Sequence, residues 1–413
     1  MDIDGNSVKK FSSLQDNIIH DFMMRIQTVI RGAIILLSIL LHASAFSQPF
    51  QVGHTTLTFI DASRNNRPIP TEIYYPALTA GENVPVAPGQ FPVLSYGHGF
   101  VMTVAAYTNF SDALVPEGYI FALADTESGF SPSHNDLALD LVFIIQSMAD
   151  ENNEPGSLFY NAVAETSAVM GHSMGGGASM LAAANDPSIT AVVNHAAANT
   201  SPSAIQAATE ITAPALLFAG SEDCVTPPSQ HQEIMFDSLT SDCKTIISIT
   251  GGGHCYFANY NLLCTIGENS CGPNLTVTRE EQQDITISFM IPWLDYVLRG
   301  NPDSWQVFLD SLESSARITY QHQCDPALVP GTETGLNRLK VFPVPFKDYL
   351  RVEGDGSFRS LKIYDLTGRE VFAAAVGKSP HISLSTGFIS PGMYQMVLEL
   401  DNGVKVARKI CKH

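Results

Sequence analysis

Ser167-Ala168-Val169-Met170-Gly171-His172-Ser173-Met174-Gly175-Gly176-Gly177 is the stretch that decides the fold. A short buried-strand pattern runs into Gly171, a Gly-x-Ser-x-Gly turn follows, and a small-residue helical stretch continues from Gly176 to Ala184. A strand passing directly into a helix through such a turn presents a serine hydroxyl above the sheet edge, and the flanking glycines let strand and helix close on each other. The helix N-terminus adds oriented N–H groups beside that hydroxyl. Ser173 is therefore the candidate nucleophile; the competing reading is a tight turn with no chemistry.

Outward from this turn the chain alternates. Apolar runs at Phe91–Tyr96, Tyr119–Ala124, Ile189–Asn194, Ala215–Ala219 and Thr245–Ile249 read as strands buried on both faces. Leu137, Leu141, Ile144, Ile145 and Met148, and later Thr286, Phe289, Met290, Trp293, Leu294, Val297 and Leu298, recur at helical spacing. Strands and helices in alternation predict an α/β fold, a mostly parallel sheet flanked by helices. Ligands in such sheets bind beyond the carboxyl ends of the strands, so functional residues are expected just after strands.

Asp223 and His254 satisfy that condition. Asp223 ends Phe218-Ala219-Gly220-Ser221-Glu222-Asp223, where a buried carboxylate would orient a histidine and stabilise its cation. Glu222 is its neighbour and rival, aimed at the other face if strand geometry persists. Among twelve histidines, His98 and His195 come too early in the chain. His231 is expected inside the helix after Asp223, His172 lies within the turn itself, and His322 does not follow a strand end. His254 follows a strand and Gly251-Gly252-Gly253. The order Ser173, Asp223, His254 is that of an α/β-hydrolase. An oxyanion hole would draw one N–H from Met174 and the other from the loop Gly97-His98-Gly99-Phe100, at Phe100. His98 is expected to support that loop. Such a site needs no metal and no organic cofactor.

The 413 residues carry 22 Lys+Arg against 41 Asp+Glu, a net charge of −19. A nucleic-acid binder needs a basic footprint, so that class is excluded. The imbalance is local: residues 48–337 hold 6 basic and 30 acidic groups, and residues 338–413 hold 12 and 7. Two modules with different jobs are expected: a catalytic domain over 49–331, a linker over 332–337 and a C-terminal domain over 338–413. Residues 1–48 read as a secretory signal peptide, with Arg25 and Arg31, a short apolar run at Ile34–Leu41 and the small residues Ala43-Ser44-Ala45. Met23 or Met24 is a candidate start. No transmembrane span is expected.

Six of the seven cysteines lie between 224 and 324, and in an exported chain they read as three disulfides. Strand direction puts Cys224 and Cys255 together at the carboxyl end of the sheet and Cys243 at the opposite end. The expected bonds are Cys224–Cys255, Cys264–Cys271 and Cys243–Cys324. Cys411 is left over.

The stretch from about 53 to 325 resembles secreted α/β-hydrolases of the dienelactone-hydrolase-like superfamily. Gly171-His172-Ser173-Met174-Gly175-Gly176-Gly177 is similar to bacterial cutinases and poly(ethylene terephthalate) hydrolases. The Gly97-His98-Gly99-Phe100 loop looks more like the chlorophyllase and platelet-activating-factor-acetylhydrolase branches. The resemblance implies an ester hydrolase in which Ser173, Asp223, His254, Phe100 and Met174 hold the family roles. Two departures bear on substrate. The cutinase group carries a clamping Trp after the strand that follows the elbow, and here Val193–Asn199 holds no aromatic residue. Dienelactone hydrolases proper use Cys where this chain has Ser173.

Residues 338–413 resemble the type A sorting domain of the type IX secretion system. The matching residues are Val341-Phe342-Pro343-Val344-Pro345, Leu361 to Arg369, Pro391-Gly392-Met393-Tyr394 and the basic run Lys405 to Lys412. Short strands with Gly and Asn-Gly turns predict a small all-β sandwich there. The resemblance implies export through the periplasm and outer membrane by that machinery, followed by removal of the tail and Cys411 with it. The expected function is a secreted serine carboxylic-ester hydrolase, cutinase-like, with polyesters among its candidate substrates. The alternatives are a lipid esterase of the acetylhydrolase or chlorophyllase kind and, more remotely, a non-catalytic surface binding protein.

Overall fold

A computed structural model describes residues 49–324 and, within 340–412, all but 343–345, 348, 366–368, 391 and 402–404. The expected signal peptide and linker lie outside the described residues. So do, from the sorting-domain motifs, residues 343–345, residues 366–368 and Pro391, and the side chain of Cys411.

The order of elements from Gln51 is β1 (Gln51–Asp61), β2 (Arg67–Ala77), β3 (Gly81–Glu82), β4 (Phe91–Gly97), α1 (Thr108–Leu114), β5 (Ile120–Ala124), α2 (His134–Asn153), β6 (Val163–His172), α3 (Met174–Asn185) and β7 (Ala191–His195). There follow α4 (Ala204–Ala208), β8 (Ala215–Gly220), α5 (Gln232–Ser238), β9 (Cys243–Ile249), α6 (Leu262–Cys271), α7 (Arg279–Arg299), α8 (Pro302–Ser314) and β10 (Ile318–Cys324). The ten strands form one sheet in the order β10-β9-β8-β7-β6-β4-β5-β2-β1-β3. Strands β9 through β5 in that order are parallel neighbours. Antiparallel strands flank them, with β10 on β9 and the β1–β2 hairpin on β5.

Each central strand alternates between two cores because its side chains alternate between faces. In β5, Ile120, Ala122 and Ala124 enter the core shared with α2, α3, α4 and α5, while Phe121 and Leu123 enter the core shared with α1, α7 and α8. β4 and β6 divide in the same way. Burial on both faces explains why these strands read as unbroken apolar runs. Helix α2 begins where the Ser133 hydroxyl accepts the Asp136 N–H, and buries Leu137, Leu141, Ile144 and Met148 along one face. Helix α7 opens on a capping box between Thr278 and Glu281.

The C-terminal segment is an antiparallel β domain of β11 (Lys340–Phe342), β12 (Tyr349–Asp365), β13 (Glu370–Ser385), β14 (Gly392–Leu400) and β15 (Lys405–Lys412). The long β12 shifts register between Glu353 and Phe358: before the shift it pairs with β11 and after it with β14, keeping β13 alongside throughout. Phe346, Leu350, Val352, Phe358, Leu361, Ile363, Met396, Leu398 and Ile410 make its core. Among the described residues no helix is long and apolar enough to cross a membrane.

Candidate active site

Ser173 sits between β6 and α3 with φ 56° and ψ −117°, a conformation costing about 1–3 kcal/mol that persists only where its surroundings over-determine it. Those surroundings are on hand. The Ser173 N–H donates to the His195 carbonyl at 3.0 Å, and its own carbonyl accepts from Gly177 (3.0 Å) and Ala198 (2.8 Å). The glycines are required by contact. A Cβ on Gly171 would lie 2.2 Å from the Gly175 oxygen, and one on Gly175 would lie 2.0 Å from the Gly97 oxygen and 2.7 Å from that of His98. The elbow and the Gly97–Phe100 loop are thus packed backbone to backbone.

Asp223 and His254, both buried, meet after β8 and β9. Asp223 Oδ2 lies 2.8 Å from His254 Nδ1. The carboxylate is held in place by its own loop: Oδ1 accepts the N–H groups of Val225 (2.9 Å) and Thr226 (2.8 Å), and the Thr226 hydroxyl stands 2.8 Å from Oδ2. Thr226 is in turn bonded by Gln232 Nε2 at 3.2 Å, which also donates to the Ala197 carbonyl at 2.7 Å. With Nδ1 committed to Asp223, His254 Nε2 makes no hydrogen bond among the described residues and is the nitrogen free to serve a nucleophile. Sequence reading missed Thr226 and Gln232; a Thr before Pro227 carries no signal beyond that of a turn.

Several side chains fasten the backbone of the His254 loop, among them three from α6 and α7. Gln282 on α7 pairs its amide with Gly253, accepting from N–H and donating to C=O, both at 2.9 Å. Arg279 donates to the carbonyls of Cys255 and Ala258 and covers the Tyr256 ring at 4.6 Å. Glu268 Oε1, from α6, accepts the N–H groups of His254 (2.5 Å) and Cys255 (3.2 Å).

The Gly97–Phe100 loop is pinned from two sides. His98, fully buried, sets Nδ1 against the Gly99 carbonyl (2.8 Å) and Nε2 against the Thr126 carbonyl (2.7 Å). The Thr126 hydroxyl donates to Asp140, a buried carboxylate that also receives Arg67 and Arg64. On the other side the Gly99 N–H donates to Tyr107 Oη at 2.8 Å, and that oxygen lies 3.0 Å from His172 Nδ1. His172 Nε2 reaches the His254 carbonyl at 3.0 Å. Burial first, and the neighbouring His254 second, push His172 well below the ordinary imidazole range. It is therefore neutral, with one proton. The tautomer that satisfies both contacts carries it on Nε2, donating to His254, while Nδ1 accepts from the Tyr107 hydroxyl. Among the described residues neither the Phe100 nor the Met174 N–H has an acceptor, and Met174 opens α3, where no intrahelical partner exists.

The disulfides correct the expected pairing. Cys243 bonds to Cys324, the pair opposed in the β9–β10 register. The other four exchange partners: Cys224 joins Cys271, and Cys255 joins Cys264. The reason is α6. The expected Cys264–Cys271 bond needs the chain between them to turn back on itself, but residues 262–271 are helical. Seven residues of helix at about 1.5 Å each separate Cys264 from Cys271 by about 10 Å, beyond the reach of one bond. Each cysteine instead ties one end of the helix to one functional loop. His231 also differs from expectation: it precedes α5 rather than lying within it. His195 is packed between Phe110 and Phe218, and burial lowers it to about 3. His322 lies on β10, bonded to Thr245.

Comparison with known families matches residues 43–270 to the family described as PETase, PET hydrolase-like, and residues 340–413 to the secretion system C-terminal sorting domain. No curated protein matches the chain.

Proposed function

From the premise that the chain belongs to the PET hydrolase-like family and is an ester hydrolase of the α/β-hydrolase type, we propose that it works as a serine esterase through Ser173, His254 and Asp223. Its type IX sorting domain marks it for export, to the medium or the cell surface. The division into a catalytic domain over 49–331 and a sorting domain over 338–413 is part of the same proposal.

Ser173 Oγ attacks the ester carbonyl as His254 Nε2 takes its proton. Asp223 keeps the His254 proton on Nδ1 and stabilises the imidazolium that forms. The N–H groups of Met174 and Phe100 receive the oxyanion. The alcohol leaves with the proton from His254, and water, activated by the same nitrogen, releases the acid from the acyl-enzyme. The observation that carries this reading is the 2.8 Å contact between Asp223 and His254 in a chain whose serine is held in the strained elbow conformation. Flexible acyl chains stand as a second reading beside aromatic polyesters, because the segment Ala196-Ala197-Ala198-Asn199, which packs on the elbow through the Ala198 N–H, carries no Trp, Tyr or Phe to clamp a flat ring.

Ser173→Ala tests the assignment. Turnover of short-chain p-nitrophenyl esters should fall by about 10³-fold or more with the fold intact. Labelling by a fluorophosphonate should add mass at Ser173 in wild type alone. Retention of more than about a tenth of the activity would overturn the triad.

A further inference from the structure

Helix α6 is amphipathic the wrong way round. Of its ten residues the one that is buried is Glu268, while Leu262, Leu263 and Ile266 stand 58%, 47% and 57% exposed. Burying a carboxylate and exposing two leucines and an isoleucine opposes the ordinary drive for helix packing. Apolar contact therefore does not hold this helix down. Two disulfides do, from Cys264 to Cys255 and from Cys271 to Cys224. Residues 264, 268 and 271 share one helix face, so the two bonds press the Glu268 side of α6 onto the loops of His254 and Asp223. Gly253 completes the fit: a Cβ there would lie 2.4 Å from Glu268 Oε1, so the carboxylate reaches the backbone only because residue 253 has no side chain.

We propose that Glu268 is a positioning residue for the reaction, its carboxylate fixing the backbone of His254 from a helix that the two disulfides hold in place. The inference rests on His254 being the general base of the proposed mechanism. The buried carboxylate receives two consecutive N–H groups, those of His254 and Cys255, which sets the direction in which the His254 side chain leaves the loop. A merely structural acid at this place would contribute to stability and leave the turnover of the folded protein alone. A positioning acid sets kcat, since an imidazole displaced by a fraction of an ångström still admits substrate yet accepts the serine proton poorly.

The test uses Glu268→Ala, Glu268→Gln and Glu268→Asp in the full chain, with kcat and KM on a soluble p-nitrophenyl ester and melting temperature beside them. The Gln variant keeps the acceptor oxygen and loses the charge. The Asp variant keeps the charge but is shorter by a methylene. Expected are a kcat lowered roughly tenfold or more in Ala and Asp with KM within about twofold, and a Gln variant within about threefold of wild type. Should the Ala protein fail to fold, the Gln and Asp pair decides the matter alone. Wild-type kcat in folded Ala or Asp variants would overturn the proposal, and so would the reverse ranking, Asp active and Gln impaired. Ser173→Ala measured alongside separates the two levels. If it is inactive while the Glu268 variants are unimpaired, only this inference fails; if it remains active, the triad fails and this inference with it.

Discussion

Tyr107→Phe removes one oxygen and breaks a connection that runs from the Gly97–Phe100 loop through His172 to the His254 carbonyl. The ring stays, wedged against Tyr96 at 4.9 Å between centroids, so little cavity cost arises. What is lost is the acceptor for the buried Gly99 N–H and the donor to His172 Nδ1. A buried polar group left without a partner costs about 1–3 kcal/mol, so the two together cost about 2–6 kcal/mol. At about 2 °C per kcal/mol for a body of this size, the melting temperature should drop by roughly 4–12 °C. Catalysis should suffer as well. Deleting an oxyanion donor outright costs about 10²- to 10³-fold. Here the Phe100 N–H is loosened rather than deleted, so a fall in kcat of about tenfold is expected. Circular dichroism melts and initial rates on p-nitrophenyl butyrate measure both. Tyr96→Phe is the control, because its hydroxyl reaches only His195, at 3.5 Å; it should leave kcat unchanged. A Tyr107→Phe protein that melts within about 1 °C of wild type and turns over at the same rate would refute the connection.

Other predictions follow from the charges. His195 is neutral down to about pH 3 when folded and titrates near 6.5 when unfolded. The unfolded chain therefore binds the extra proton, and stability falls as pH drops below about 6.5. By pH 5 the loss is about 2 kcal/mol, with His172 acting in the same direction. Asp61, lowered to about 2 by Ser63 and Arg64, stays ionised in both states at pH 5 and does not enter. A melting temperature that is level from pH 7.5 to pH 5 would contradict this. All six basic residues between 48 and 337 are engaged internally: Arg64 and Arg67 with Asp140, Lys244 with the carbonyls of Phe236 and Leu239, Arg279 with the His254 loop, Arg299 with Asp295, and Arg317 with Glu281. The acidic excess on this body thus lacks basic neighbours to offset it, and stability should rise between roughly 10 mM and 500 mM NaCl as the Debye length shrinks from about 30 Å to under 8 Å. A flat or falling melting temperature would oppose that reading. Asp140→Ala, leaving Arg64 and Arg67 without their shared buried partner, should cost about 3–5 kcal/mol in denaturant titration; a cost under 1 kcal/mol would mean that the pairs are exchanged for water.

The sheet and the elbow were legible because they are local. A strand buried on both faces is mostly apolar, and an elbow has to carry glycines where backbones touch, so Phe91–Tyr96, Ser167–Met170 and Gly171-His172-Ser173-Met174-Gly175 state their own geometry, whereas the part-exposed start of β6, Val163 to Thr166, does not. The flanking strands were not. β1 reads Gln51-Val52-Gly53-His54-Thr55-Thr56 and is part-exposed, so its alternation is carried by threonines rather than by a clear apolar face. Tyr107 and His172 were unreadable as partners, since they are 65 residues apart and meet through hydrogen bonds that leave no periodic trace. Helix α6 went unread: after Leu262, Leu263 and Ile266 the residues Gly267-Glu268-Asn269-Ser270 hold nothing that extends an apolar period, and its inverted burial is not written in the sequence.

That inversion belongs to a division of labour across the site. The Ser173 elbow is held by contact, glycine backbone against glycine backbone, and nothing covalent is needed there because β6 and α3 enter it from the packed interior. The Asp223 and His254 loops, beyond the ends of β8 and β9, are largely buried as well, with Phe257 and Ala258 in the core, but polar and covalent groups fix their backbones: Thr226 and Gln232 at one loop, Gln282, Arg279 and Glu268 at the other, and a disulfide from each to α6. Disulfides form where the surroundings are oxidising, which excludes an ordinary cytosol. A chain bearing an export domain and fastening its Asp and His loops this way therefore gains its last structural constraints after leaving the compartment in which it is made, while the Ser173 elbow is independent of them.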